Sequence, residues 1–184
     1  IEIFEPEKQY LLHFDDLEVP NANLVGEEHH GLRTVFDGLN PERIMGAAVS
    51  LGIARYALEK AARYANERVV WRVPIGSHQG LAHPMAEAKI EVELARLMMS
   101  KAAWLYDQGL PAGEEANMAK YAAAEAGLHA LDCAIQTHGG NGMASEYGLA
   151  TMWGMTRLLR TAPISREMIL NFIGQHALGL PRSY

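Results

Sequence analysis

From Pro41 to about Val70, the residues Ile44, Ala47, Ala48, Leu51, Ala54, Leu58, Ala61 and Ala65 recur at steps of three and four. That is the period of one face of a helix, not of a strand. Thirty or so residues rising 1.5 Å each make a rod of roughly 45 Å. Alanine over most of the stripe lets neighbouring helices approach closely. The start of the rod is marked by Asn40-Pro41-Glu42-Arg43. Asn40 is a favourable N-cap, and Pro41 fits the first helical position, where a missing N–H costs nothing. Glu42 falls in the first turn, where the helix dipole favours negative charge. A capping carboxylate accounts for Glu42 without chemistry, and a catalytic base is the alternative.

The rest of the chain supplies partners for this rod. A second helix is expected from about Gln79 to Gln108, with Pro84 in its first turns or at a kink and Ile90, Leu94, Leu97, Met98, Ala102 and Leu105 on its inner face. Gly109 to Gly113 is a turn, and an alanine-rich third helix runs from Glu114 to about Thr137. Gly139-Gly140-Asn141-Gly142 ends it, followed by a loop from Met143 to Gly148 and a fourth helix over about Ala150 to Arg160. Pro163 interrupts that helix, and Ser165 can cap a fifth, which ends before Gly179 and Pro181. Ahead of the rod, residues 1–20 read as one or two short strands ending at Pro20, 21–31 as a polar loop and Leu32 to Asp37 as a short helix. So little strand needs a partner to be stable. The expected architecture is all-α, an antiparallel four-helix bundle with a short N-terminal β remnant. The strand segment with its linker, residues 1–31, either pairs with something outside this chain or packs on the helices, and residues 32–184 form the bundle.

Composition narrows the function. The 184 residues are 49% hydrophobic and carry a formal charge of −6, with no dense Lys/Arg block, which argues against nucleic acid as the main partner. The single Cys133 excludes an internal disulfide framework and makes an intracellular protein the default, in the cytoplasm or the mitochondrial matrix and not secreted. No apolar run approaches the ~18–20 residues of a membrane span. The histidines form no metal-ligand pattern, so no metal site is expected. The chain opens at Ile1 directly in strand-like sequence and reads as part of a longer polypeptide.

A series of residues points further. Phe14-Asp15-Asp16-Leu17-Glu18-Val19-Pro20 is followed by Leu24-Val25-Gly26, then Arg43, Gly52, Tyr64-Ala65, Glu67-Arg68, Pro74-Ile75-Gly76, Gln79, Lys120, Gln136, Gly139-Gly140 and Gly142. In order and spacing this series resembles the C-terminal part of the acyl-CoA dehydrogenases, flavoenzymes that introduce a double bond into acyl-CoA thioesters. The resemblance extends over nearly all of the chain. It implies FAD as cofactor, an acyl-CoA substrate and an electron-transfer flavoprotein or similar acceptor. It also implies a homodimer or homotetramer completed by an N-terminal portion of the same protein.

In the family, the arginine at Arg68 reaches the FAD pyrophosphate across a subunit interface, where a guanidinium can grip phosphate oxygens with paired donors. The resemblance likewise places Gln79, Gln136, Gly139, Gly140, Ser165 and the aromatic Trp71 on the cofactor, and Asn40 and Arg43 toward the substrate. Family members often have Phe-Gly where this chain has Trp71-Arg72, and an Asp at the position of Asn40. Most place the base in a Glu-Gly-Thr motif, whose equivalent here is Pro163-Ile164-Ser165, or begins at Ala162 if the register slips by one. Neither residue can take a proton. A minority, including the isovaleryl-CoA and long-chain dehydrogenases, carries the base beside the arginine that opens the long helix, and Glu42 stands there. Burial beside acyl chain and flavin is expected to raise its pKa toward working pH. Glu167 is a weaker candidate, one turn beyond the usual site. An acyl-CoA oxidase of the same fold and a non-catalytic bundle that only builds oligomer interfaces are the alternatives.

Overall fold

The computed structural model describes residues 8–182 of the chain. Helix α1 spans Gly31–Glu67 and leads into a tight hairpin of β1 (Val69–Val70) and β2 (Val73–Pro74). Helices α2 (Gln79–Asp107) and α3 (Gly113–His138) are also long. The fourth side of the bundle is broken into α4 (Gly140–Met143), α5 (Trp153–Leu158) and α6 (Arg166–Phe172), the last running into a π turn over Ile173–Ala177. The all-α bundle expected from the sequence is present.

Small side chains set its packing. Ala47, Leu51 and Ala54 of α1 meet Ala88, Val92 and Ala95 of α2 and Ala119, Ala123, Ala126 and Ala130 of α3 in one buried cluster. With alanine at most contact positions the helix axes can sit near the close end of the usual 8–10 Å separation. A second cluster joins Ala57 and Ala61 to Leu131, Ala134 and Leu149. Cys133 is buried in the first cluster, as its flanking alanines suggest.

Three expectations need correction. First, α1 begins at Gly31, so Asn40 is not an N-cap and Pro41 lies inside the helix. The proline removes one bond, to the carbonyl of Asp37, and that residue is exposed, so water can satisfy the acceptor. The Asn40 side chain instead accepts from the Arg43 guanidinium at 2.8 Å. Second, Ile90, Leu94 and Leu97 face outward, each more than half exposed, and the alanines and Val92 form the inner face of α2. Their periodicity is helical, but close packing admits only the smaller face; Ala48 on α1 likewise lies outside the core.

Third, residues 8–20 form no strand, and Tyr10, Leu11, Leu12 and Phe14 stand exposed because nothing pairs with them. Residues 1–7 of the expected strand region lie outside the described residues. The strand pairing among the described residues is the hairpin, with Val69 opposite Pro74 and Val70 opposite Val73. Its two turn residues, Trp71 and Arg72, have φ of 51° and 73°, as the twist of a two-residue hairpin demands. Neither is glycine, and the left-handed region costs a non-glycine residue about 1–2 kcal/mol.

Candidate functional site

Two separate places lie along α1, one at its C-terminal end and one within its N-terminal half. At its C-terminal end, Arg68, Gln136, Gly139 and Gly140 line one cavity of about 330 Å³ together with Tyr64 and Asn141. The chain turns sharply here because Gly139 holds φ 59°, ψ −135°, a conformation closed to other residues. Gly142 is required for a different reason. A Cβ there would lie 2.4 Å from the carbonyl oxygen of Ile135. At Gly139 and Gly140 an added Cβ meets nothing within 4 Å, so their bare backbone faces open space at the cavity wall.

His138 supports this turn from below. It is 4% exposed, pairs through Nδ1 with the Ala134 carbonyl at 2.8 Å, and stacks on Tyr64 with ring centroids 4.2 Å apart. The Asn141 amide bridges the hydroxyls of Tyr64 and Tyr147, which ties α4 to α1. His138 is therefore a packed and satisfied histidine. Trp71, 84% exposed at the hairpin tip, meets His78 edge-on at 6.0 Å. His78 is the residue immediately before Gln79, the exposed first residue of α2. Val70 of the hairpin, Ile75 and, on α2, Leu81 line the cavity as well, while Trp71 and Gln79 are not among its lining residues.

Twenty-five residues earlier on α1, at a helical distance of roughly 37 Å, lies the second place. Arg43 is 2% exposed; desolvation pulls its pKa down, opposed by the nearby negative charge of Glu42. Its guanidinium lies over the Phe36 ring at 5.5 Å. Arg43 lines a cavity of about 170 Å³ with Asn117, Ile164, Met168 and Gln175. Two buried polar atoms of these residues, Arg43 Nε and Asn117 Oδ1, have no hydrogen-bond partner among the described residues. Glu42 itself is exposed.

The segment around Pro163 is anchored to α3 at several points. Lys120, 2% exposed, donates to the Ile164 carbonyl at 2.6 Å. Glu125 accepts from Arg160 at 2.8 Å and forms an ion pair with Arg166 at 2.9 Å, one residue on each side of the segment. Ser165 Oγ accepts from the Met168 N–H and caps α6, as its position suggests. Glu167 is exposed, 3.8 Å from Arg166. The roles of Lys120 and Asn117 were not legible from motif spacing. The available signal was a lysine set on the alanine face of α3, four residues after Ala116 and three before Ala123.

Among the described residues no three His, Cys, Asp or Glu side chains are grouped to hold a metal ion, and no helix is long and apolar enough to cross a membrane.

The bundle thus carries an arginine-and-glycine cavity at the C-terminal end of its longest helix, and a buried arginine beside an exposed glutamate in the N-terminal half of that helix. The family description "Acyl-CoA dehydrogenase, C-terminal domain" matches residues 29–178, and the chain belongs to the acyl-CoA dehydrogenase family. It is 56% identical over its whole length to acyl-CoA dehydrogenase FadE12 of Mycobacterium tuberculosis, covering 48% of that protein. Among solved structures it resembles butyryl-CoA dehydrogenase of Megasphaera elsdenii, with TM-score 0.86 and 32% identity over 90% of this chain and 43% of that one. It also resembles the FAD complex of PigA, with TM-score 0.87 and 28% identity over 91% and 43%. The chain spans about half the length of the curated relatives it matches most fully.

Proposed function

We propose that this chain is the C-terminal part of an FAD-dependent acyl-CoA dehydrogenase in which Glu42 removes the α-proton of the thioester. The observation that carries the reading is the gathering of Arg68, Gln136, Gly139 and Gly140 around one cavity. Arg68 makes no ion pair among the described residues, which leaves its guanidinium for phosphate oxygens. The bare backbone at Gly139 and Gly140 lets a cofactor approach closely and Gln79 and Trp71 complete the contacts at this place, while Ser165, beside the Arg43 cavity, is assigned to the flavin that Glu42 works with. FAD, when bound, accepts the β-hydride.

The chain's own part in the reaction lies within the N-terminal half of α1. Glu42, beside Arg43, takes the proton, and Asn40 fixes the Arg43 guanidinium from one side. Asn40 and Arg43 face the acyl-CoA. Pro163 and Ile164 leave no competing carboxylate at the usual base position. The two places are roughly 37 Å apart along the helix, longer than an extended FAD, so Arg68 serves the flavin of a second subunit. The outward Ile90, Leu94, Leu97 and Trp104 on α2 give such a subunit an apolar face to cover. A homodimer or homotetramer follows. Residues 1–31 form the exit from a middle β domain, an N-terminal portion completes the site, and an electron-transfer flavoprotein or similar acceptor reoxidises the flavin. The enzyme works in the bacterial cytoplasm or the mitochondrial matrix.

Screening acyl-CoA thioesters against the complete polypeptide under anaerobic conditions tests this. A yellow protein whose flavin is bleached by at least one thioester, and whose reduced flavin reacts slowly with oxygen, supports the dehydrogenase. Rapid reoxidation by oxygen indicates an oxidase of the same fold. A complete protein that takes up no FAD returns the chain to a non-catalytic scaffold.

A further inference from the structure

We infer that Arg72 is a second cationic contact to the flavin's phosphates, held in place by a backbone conformation that is unfavourable for it. The inference rests on the FAD reading above and adds a residue to it. Two-residue hairpin turns with positive φ at both positions favour Asn-Gly or Gly-Gly. Here the positions are filled by Trp71 at φ 51° and Arg72 at φ 73°. A non-glycine residue persists in that region only when the surroundings over-determine it, and such strain clusters at functional positions.

The surroundings do over-determine it. The ladder pairs Val70 with Val73 and Val69 with Pro74, and the Ile75 N–H donates to the Arg68 carbonyl at 2.8 Å. Arg72 is thereby fixed relative to Arg68, about 10–13 Å along the hairpin at the rise of a strand. Both side chains are long enough to converge on neighbouring phosphate oxygens from that spacing. Arg72 is exposed and makes no ion pair among the described residues.

The hairpin is not an ordinary solvated turn either. Val69, Trp71 and Val73 are 55%, 84% and 39% exposed, so three apolar side chains flank the one cation. That surface suits a partly apolar, anionic ligand such as a dinucleotide's ring and diphosphate. A guanidinium presents paired donors to such phosphates. Glycine at this position would relax the backbone and forfeit the contact.

The complete protein with Arg72→Gly and Arg72→Lys tests the inference through FAD affinity, its salt dependence, and the thermal midpoint of the FAD-free form. Arg72→Gly is expected to raise the FAD-free midpoint slightly, to weaken FAD binding about tenfold and to flatten its salt dependence. Arg72→Lys keeps the strained turn and should recover part of the affinity. Wild-type FAD affinity in Arg72→Gly overturns the inference while leaving the flavin reading intact. A lowered FAD-free midpoint overturns it also, because the turn then gains from the arginine. A wild-type protein that binds no FAD overturns the flavin reading and this inference with it.

Discussion

Lys120 Nζ donates to the carbonyl oxygen of Ile164 at 2.6 Å, joining the middle of the central helix to the segment where most of the family keeps its base. The ammonium is buried, and desolvation, then the Arg43 charge, pull its pKa from 10.5 to about 8; Glu125 and Glu167 oppose the shift. The folded protein thus releases this proton well before the unfolded chain does. Between pH 8 and 10.5 the unfolded state binds more protons, so stability rises with pH across that window. Below it both states are charged and the contribution is constant. Chemical denaturation of wild type and Lys120→Met over this range should show their difference moving in favour of wild type as pH rises. Parallel curves would contradict the burial of a charged lysine.

Gly142 is held against the backbone of Ile135, where a Cβ would meet the carbonyl oxygen at 2.4 Å. Gly142→Ala should destabilise the protein by about 1–3 kcal/mol, the usual range for overpacking, and should loosen the turn at Gly139. The readouts are the thermal midpoint and FAD retention. An unchanged midpoint would mean that this backbone contact yields freely.

The long helices were legible because a stripe of Ala47, Leu51, Ala54 and Ala61 has only one periodic reading, and those residues are buried. The gathering of Arg68 with Gln136 and Gly139 was legible through the family series, since spacing alone says nothing of what meets across a bundle. Two failures have physical causes. Asn40-Pro41 carries every local mark of a helix start, but a proline is tolerated mid-helix where the carbonyl it strands is exposed to water, as at Asp37. On α2 the residues Ile90, Leu94 and Leu97 outweigh alanine on any hydrophobicity scale. Which face turns inward was decided by how closely α1 and α3 approach, a property of three helices together. The Lys120–Ile164 contact spans 44 residues and no motif encodes it.

Leu94 is 63% exposed on the outer face of α2, between Ile90 and Leu97. If that face is covered by a second subunit, Leu94→Lys in the complete protein should shift sedimentation toward smaller species while far-ultraviolet circular dichroism stays helical. An unchanged assembly would place the subunit contact elsewhere.

Arg68→Ala should remove the paired donors from the cofactor's diphosphate. Hydrogen bonds to charged groups contribute about 1.5–3 kcal/mol, so FAD affinity should fall by roughly ten- to a hundredfold, with the helical content intact. Full retention of FAD through gel filtration would exclude Arg68 from the site.

The central claim is that Glu42, not a residue near Pro163, takes the α-proton. It is tested most directly by anaerobic titration of the complete Glu42→Gln protein with an acyl-CoA that bleaches the wild-type flavin. With Glu42 as the base, the variant keeps its FAD and binds the thioester but shows no bleaching, while Glu167→Gln bleaches normally. Bleaching by Glu42→Gln at the wild-type rate would contradict it.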